Sequence, residues 1–192
     1  MGTRLGVMGG TFDPIHVGHL VTAEEALHQF GLDEVVFVPT GRPWMKEHEV
    51  VASPEDRYRM TEIGIEPEPR FSASRVEVER GGQTYTVDTL RTLHDADPGR
   101  ELWFITGADA MLEIMAWKES EALFGLARFI AATRPGYDVA PFADTDGVEV
   151  MEIPALAISS TDVRRRVHDG RPIRFLVPAG VQDYIAAEGL YR

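Results

Sequence analysis

Two histidines three residues apart, His16 and His19, close the string Gly9-Gly10-Thr11-Phe12-Asp13-Pro14-Ile15-His16-Val17-Gly18-His19. The short apolar run Leu5 to Met8 before it reads as a buried strand. The pattern after it, with Leu20, Ala23, Leu27 and Phe30 at helical spacing, reads as a helix from about Gly18 to Phe30. Strand, glycine loop and helix in that order aim free backbone N–H groups and the positive end of a helix dipole at one point. Gly9 and Gly10 let the main chain approach a ligand without a Cβ in the way. Both imidazoles can share one helix face, and Gly18 between them keeps that face open. Such a set binds an anion, phosphate above all. A metal could use two histidines at this spacing, but no third ligand stands nearby at a familiar interval. The histidines could also simply cap the helix. Neither the G-x-G-x-x-G dinucleotide fingerprint nor the G-x-x-x-x-G-K-[ST] loop is present, which weakens hydride transfer and an ordinary kinase or ATPase.

A second set lies far along the chain at Ile158-Ser159-Ser160-Thr161-Asp162-Val163-Arg164-Arg165-Arg166. Hydroxyl residues at a helix start supply caps and phosphate donors together, and Arg164 falls one turn in, within reach of the same anion. A well-capped surface helix carrying solvated arginines would look similar. The formal charge of −12 argues against a general nucleic-acid or membrane-surface binder. Phosphate substrates therefore require the scarce bases to gather locally, with His16, His19, Lys46, Arg134 and Arg164 converging.

The elements that must position these groups alternate. Strands are expected at Val35 to Val38, Phe71 to Val78, Leu102 to Thr106, Phe129 to Ala132 and Val148 to Ile153. Helices are expected from Ser53-Pro54, a cap followed by Pro at the first position, at Val87 to Leu93, in short pieces near Ala110–Met115 and Glu121–Leu126, and at Ser160 to His168 and Ala179 to Ala187. Gly31 stands where a helix C-terminal glycine belongs. Alternation of this kind predicts an α/β fold: one domain over residues 1–192, doubly wound and Rossmann-like, its parallel sheet covered by helices on both faces, with ligands at the carboxyl ends of the strands. No apolar run reaches the roughly 20 residues of a membrane span. Cysteine is absent, which excludes disulfides and fits a cytoplasmic enzyme. No signal peptide is evident.

The two phosphate strings resemble the nucleotidylyltransferase superfamily, whose H-x-G-H motif is matched by His16, Gly18 and His19 and whose ISSTxxR motif is matched by Ile158, Ser159, Ser160, Thr161 and Arg164. The resemblance implies that the histidines contact triphosphate oxygens and stabilise charge at the α-phosphate. It also implies that the Ile158 region borders adenine and that Ser159, Thr161 and Arg164 hold phosphates, with Gly9, Gly10, Thr11, Phe12 and Gly18 completing the ATP site. Arg165 and Arg166 fall outside the motif and are expected to face solvent.

Within that superfamily the chain looks most like the bacterial nicotinate mononucleotide adenylyltransferases. The features are GGTFDPIH with His16; Pro39-Thr40-Gly41-Arg42-Pro43-Trp44-Met45-Lys46, similar to a PxxxPxxK loop but departing at Trp44 and Met45; Thr84-Tyr85-Thr86-Val87-Asp88-Thr89-Leu90; and Gly107-Ala108-Asp109-Ala110 with Trp117. A pyridine ribotide would find in them a ring to stack on (Trp117), a hydrogen-bond partner for a ring carboxylate (Thr86) and an acceptor for ribose hydroxyls (Asp109). Gly107 and Arg134 are assigned to the same mononucleotide, and Lys46 and Arg164 to phosphate. Singly, Trp117 could be a packing residue, Thr86 could cap a helix beginning at Val87, and Asp109 one beginning at Ala110. The implied reaction joins ATP and nicotinate mononucleotide with substrate-bound Mg²⁺ and no protein metal cage. Phosphopantetheine or nicotinamide mononucleotide as acceptor, and a non-catalytic nucleotide sensor, are the competing readings. A homo-oligomer is compatible with the sequence.

Overall fold

Strand β1, Arg4–Gly10, alternates strictly in where its side chains go: Leu5 and Val7 pack on one face, Met8 on the other. The neighbouring strands repeat this. In β2, Glu34–Pro39, Val35 and Phe37 face one way and Val36 and Val38 the opposite way. A strand buried on both faces needs cover on both, and helices supply it.

The structure, a computed structural model, describes residues 2–43, 51–114, 117–134, 136, 145–154 and 156–192. After β1 come α1 (Val17–Phe30), β2, a two-residue strand β3 (Arg42–Pro43), α2 (Pro54–Ile65), β4 (Phe71–Ala73), α3 (Val76–Arg80), a two-residue strand β5 (Gln83–Thr84) and α4 (Thr86–Ala96). Then follow β6 (Glu101–Gly107), α5 (Ala108–Leu112), α6 (Ser120–Leu126), β7 (Arg128–Thr133), β8 (Val148–Glu152), α7 (Ser160–His168) and α8 (Ala179–Glu188). The main sheet has the order β4-β2-β1-β6-β7-β8 with every pairing parallel. Chain order therefore reverses between β1 and β6, the point where a doubly wound sheet opens a crevice at its carboxyl edge. β3 and β5 pair separately. Face one carries α1, α2, α7 and α8 through Leu27, Met60, Val163 and Ile185; face two carries α4, α5 and α6 through Leu90, Met111 and Leu123. The expected fold class is the observed one. No helix among the described residues is long and apolar enough to cross a membrane.

Helix boundaries follow local chemistry. Gly31 closes α1 in the left-handed region (φ 59°), and the Ser53 side chain accepts the Asp56 N–H at the start of α2. One expected strand is corrected: Phe71 to Val78 extends only to Ala73, and Val76 begins α3. The alternation of Val76 and Val78 is that of one helical turn. Arg75 and Glu79 pair across this turn at 3.0 Å, and Glu77 is drawn inward to bond the Thr89 hydroxyl.

Candidate functional site

The loop between β1 and α1 delivers His16 to the crevice, and the first turn of α1 delivers His19. His16 is the N-cap residue of α1 with extended backbone, and the His19 Nδ1 accepts the His16 backbone N–H at 3.1 Å. That bond fixes a neutral His19 with its proton on Nε2, the donor left for a ligand. The rings stack at 3.6 Å between centroids, 17° from parallel, with Phe12 edge-on to His19 at 5.0 Å. A Cβ on Gly18 would stand 3.0 Å from the His16 Nδ1, so glycine here keeps the imidazole in place. His16 is buried and its Nδ1 has no partner, a polar atom that a ligand or water would satisfy. Burial pulls the His16 pKa down to about 4. Burial, then the neighbouring His16, holds His19 well below its ordinary value. Both imidazoles are therefore neutral donors near pH 7 rather than cations.

The second phosphate string docks on the first. Ser159 caps α7 through the Asp162 N–H. Ser160 donates its hydroxyl to the Pro14 carbonyl, 146 residues away, at 2.8 Å. Arg164 donates to the Asp13 carbonyl at 2.7 Å and to the Thr161 hydroxyl at 3.3 Å, and lies 3.6 Å from the Asp13 carboxylate. Arg165 and Arg166 both pair with Asp162; the first is exposed, the second half-buried.

Three residues that the sequence reading passed over make this junction. Asp13, 1% exposed, accepts the Val51 and Ala52 N–H groups and the Tyr191 hydroxyl. Its contact pushes the Tyr191 phenol further up after burial has already raised it. Arg57, wholly buried, donates to the carbonyls of Thr11, Gly41 and Ala52. Asp13 was visible inside the glycine string. Nothing local marks Arg57 in a helix or Tyr191 near the far end as belonging to it.

Three contiguous clefts meet at the carboxyl ends of β1 and β6. One of about 620 Å³ is lined by Gly9, Gly10, Phe12, His16, Gly18 and His19 together with Gly107, Arg134 and Ile158. A second, of about 480 Å³, runs from His16 and His19 to Ser159, Thr161 and Arg164, with Thr11, Phe12, Arg134 and Ile158. A third, of about 500 Å³, holds Thr86 and Trp117 with Thr11, Gly9, Gly10 and Gly107. Asp109 lines all three. Four of the five expected bases thus converge; Lys46, with Trp44 and Met45, lies outside the described residues. Arg134, expected beside the mononucleotide, follows β7 and lines the two histidine-side clefts instead of the cleft of Trp117.

The alternatives raised for the acceptor residues resolve locally. Helix α4 begins at Thr86 itself, with Tyr85 as its N-cap, and α5 begins at Ala108 with Gly107 as its N-cap. Neither Thr86 nor Asp109 is the cap residue, which leaves both in first turns beside the clefts. Trp117 is half-buried, edge-on to Phe104 at 6.1 Å, and still lines the 500 Å³ cleft.

The model of the cytidylyltransferase-like family matches residues 7–166, and the chain belongs to that family. Over nearly its whole length it is similar to the probable nicotinate-nucleotide adenylyltransferase of Saccharopolyspora erythraea, 56% identical over 190 residues that cover 98% of this chain and 90% of that one. The probable nicotinate-nucleotide adenylyltransferase of Streptomyces coelicolor is also 56% identical, over 186 residues covering 96% and 99%. Among solved structures, the Plasmodium falciparum nicotinic acid mononucleotide adenylyltransferase complexed with NaAD shares the fold at TM-score 0.82 and 22% identity, covering 98% of this chain and 97% of that one.

Proposed function

We propose that this chain is a nicotinate-nucleotide adenylyltransferase of the cytoplasm, one catalytic domain that moves AMP from ATP to nicotinate mononucleotide, releasing pyrophosphate and nicotinate adenine dinucleotide. The observation that carries the reading is the meeting of a histidine region walled by two helix N-termini with a tryptophan cleft, across the shared residues Gly9, Gly10, Thr106, Gly107 and Asp109. Two nucleotides seated there would bring their phosphates together at the seam.

The 5′-phosphate oxygen of the mononucleotide attacks the α-phosphorus of ATP, and the bond from that phosphorus to the bridging oxygen breaks as pyrophosphate departs. The attacking group is already an anion, so no general base is needed. Catalysis is positioning and preorganised charge stabilisation. His19, through Nε2–H, and His16 donate to the α-phosphate oxygens; Ser159, Thr161 and Arg164 hold the outer phosphates; Lys46 approaches phosphate from its loop. Ile158 borders the adenine, Trp117 stacks the pyridine, Thr86 meets its carboxylate, and Asp109 accepts from ribose. Mg²⁺, bound through triphosphate oxygens and water, would supply charge neutralisation. Among the described residues no group of three or more His, Asp or Glu could hold an ion.

The test is pyrophosphate release with ATP and Mg²⁺ in the presence of nicotinate mononucleotide, nicotinamide mononucleotide or phosphopantetheine. Fast release with the nicotinate substrate, far above the others, is expected. ATP binding with no release from any acceptor would point to a nucleotide sensor instead.

A further inference from the structure

Nicotinate and nicotinamide mononucleotide have nearly the same shape and differ in one substituent, a carboxylate against a neutral amide. A cleft that grips only the ring and ribose cannot separate them, whereas charge can. The acceptor cleft is on balance hostile to the carboxylate. Among the described residues lining it, Glu77, Asp109 and Glu113 carry acidic side chains and Lys118 alone is basic. Glu77 is buried and burial raises its pKa, which lessens its own opposition. Asp109 and Glu113 are exposed.

Lys118 lines this cleft together with Trp117, Thr86 and Tyr85, the residues assigned to the ring and their neighbour. Trp117 precedes it, its ring packed on Phe104 and its backbone N–H donated to the Ile114 carbonyl at 3.0 Å. The Lys118 ammonium stands 4.6 Å over the Tyr85 ring and 3.0 Å from the Asp88 carboxylate. Tyr85 and Asp88 bracket Thr86 in sequence, so these two contacts hold the cation beside the start of α4. Asp88 has a second cationic neighbour, Arg91 at 3.9 Å, itself bonded to Glu119 at 2.6 Å. Asp88 therefore keeps a counter-charge when Lys118 turns to another anion. The Lys118 side chain is 41% exposed, so changing partner strands no buried charge.

We infer that Lys118 is a specificity-determining residue: its ammonium, poised by Asp88 and the Tyr85 ring, attracts the ring carboxylate of the acceptor and favours the acid over the amide. This rests on the acceptor reading given above. The attraction acts on substrate capture, so it moves KM for the acid and leaves kcat and the amide almost untouched.

Pyrophosphate release is measured at saturating ATP and Mg²⁺ across concentrations of both mononucleotides for wild type, Lys118→Gln, Lys118→Arg and Asp88→Asn, with a thermal melt of each. Lys118→Gln is expected to lower kcat/KM for the acid by about tenfold through KM, the scale of one partly exposed charge contact. Turnover of the amide should stay within about twofold, a difference too small to mark a lost charge contact. The loss should shrink as salt is added, and Lys118→Arg should restore most of it. Asp88→Asn keeps the ammonium and removes its competitor, so KM for the acid falls while that for the amide holds. Equal losses on both substrates, or an unchanged ratio in Lys118→Gln and Asp88→Asn, would overturn the inference while leaving the adenylyl transfer intact. Wild type that uses both acceptors equally also overturns it. Wild type that releases pyrophosphate with neither removes the acceptor reading itself, and the role of Lys118 with it.

Discussion

The histidine and tryptophan clefts are held by different kinds of bond. Around the histidines, polar ties centre on two buried side chains: Asp13 reaches residues 51, 52, 164 and 191, and Arg57 reaches 11, 41 and 52. Around Trp117 they join exposed or partly exposed side chains: Lys118 with Asp88, Arg91 with Glu119, Tyr85 with the Gln83 side chain. Removing one member of a buried charged set leaves others desolvated and unpaired, whereas exposed pairs are worth little to stability. The histidine cleft, proposed to meet the triphosphate, is thus welded into the fold, and the tryptophan cleft, proposed to choose the acceptor, can be altered without unfolding it.

That contrast can be broken by experiment. The largest effect is expected for Asp13→Ala, which strands two N–H groups, a phenol and the neighbouring Arg164. A loss of about 3–5 kcal/mol in urea or thermal unfolding is expected, and a near-neutral result would show that the junction is not a weld. Next, His16→Ala and His19→Ala should each lower kcat by roughly 10²–10³, the cost of one preorganised donor; wild-type turnover in both would dismiss them as phosphate ligands. The third concerns pH. His16 has a folded pKa of about 4 against an ordinary 6.5, so between those values the unfolded chain binds more protons. Stability is then complete above about pH 6.5 and falls by about 3 kcal/mol as pH drops toward 4. His16→Asn should lessen that slope in unfolding curves of the unliganded protein, with the share of His19 remaining, and a substitution in the tryptophan cleft should not change it. The smallest effect is Trp117→Ala, expected to raise KM for the mononucleotide about tenfold through lost stacking, with little change in KM for ATP. Equal changes in both would mean that Trp117 only supports the wall.

The same division explains what could be read in the sequence. Both phosphate strings were legible because capping, glycine and helix-start chemistry act within a few residues, and the alternation of β1 and β2 follows from a period of two. The strand order was legible as a class, since alternating elements favour a doubly wound sheet. Arg57 was not legible: an arginine in the first turns of a helix gives no local sign of being wholly enclosed. Tyr191 gave none either, because its partner lies 178 positions away. Val76 and Val78 misled because a single helical turn can imitate strand alternation. Thr86 and Asp109 were read as possible caps because a helix boundary misplaced by one or two residues turns a first-turn side chain into a cap.

The stitching of Asp13 and Pro14 to Ser160, Arg164 and Tyr191 has a consequence for synthesis. A ribosome delivers the histidine loop first and its anchors last. A nascent chain halted before residue 159 would carry His16 and His19 but lack the wall that Ser159, Thr161 and Arg164 provide. Translation thus sets the order in which the pocket can be assembled, and a prematurely terminated product would have no complete place to consume nucleotide.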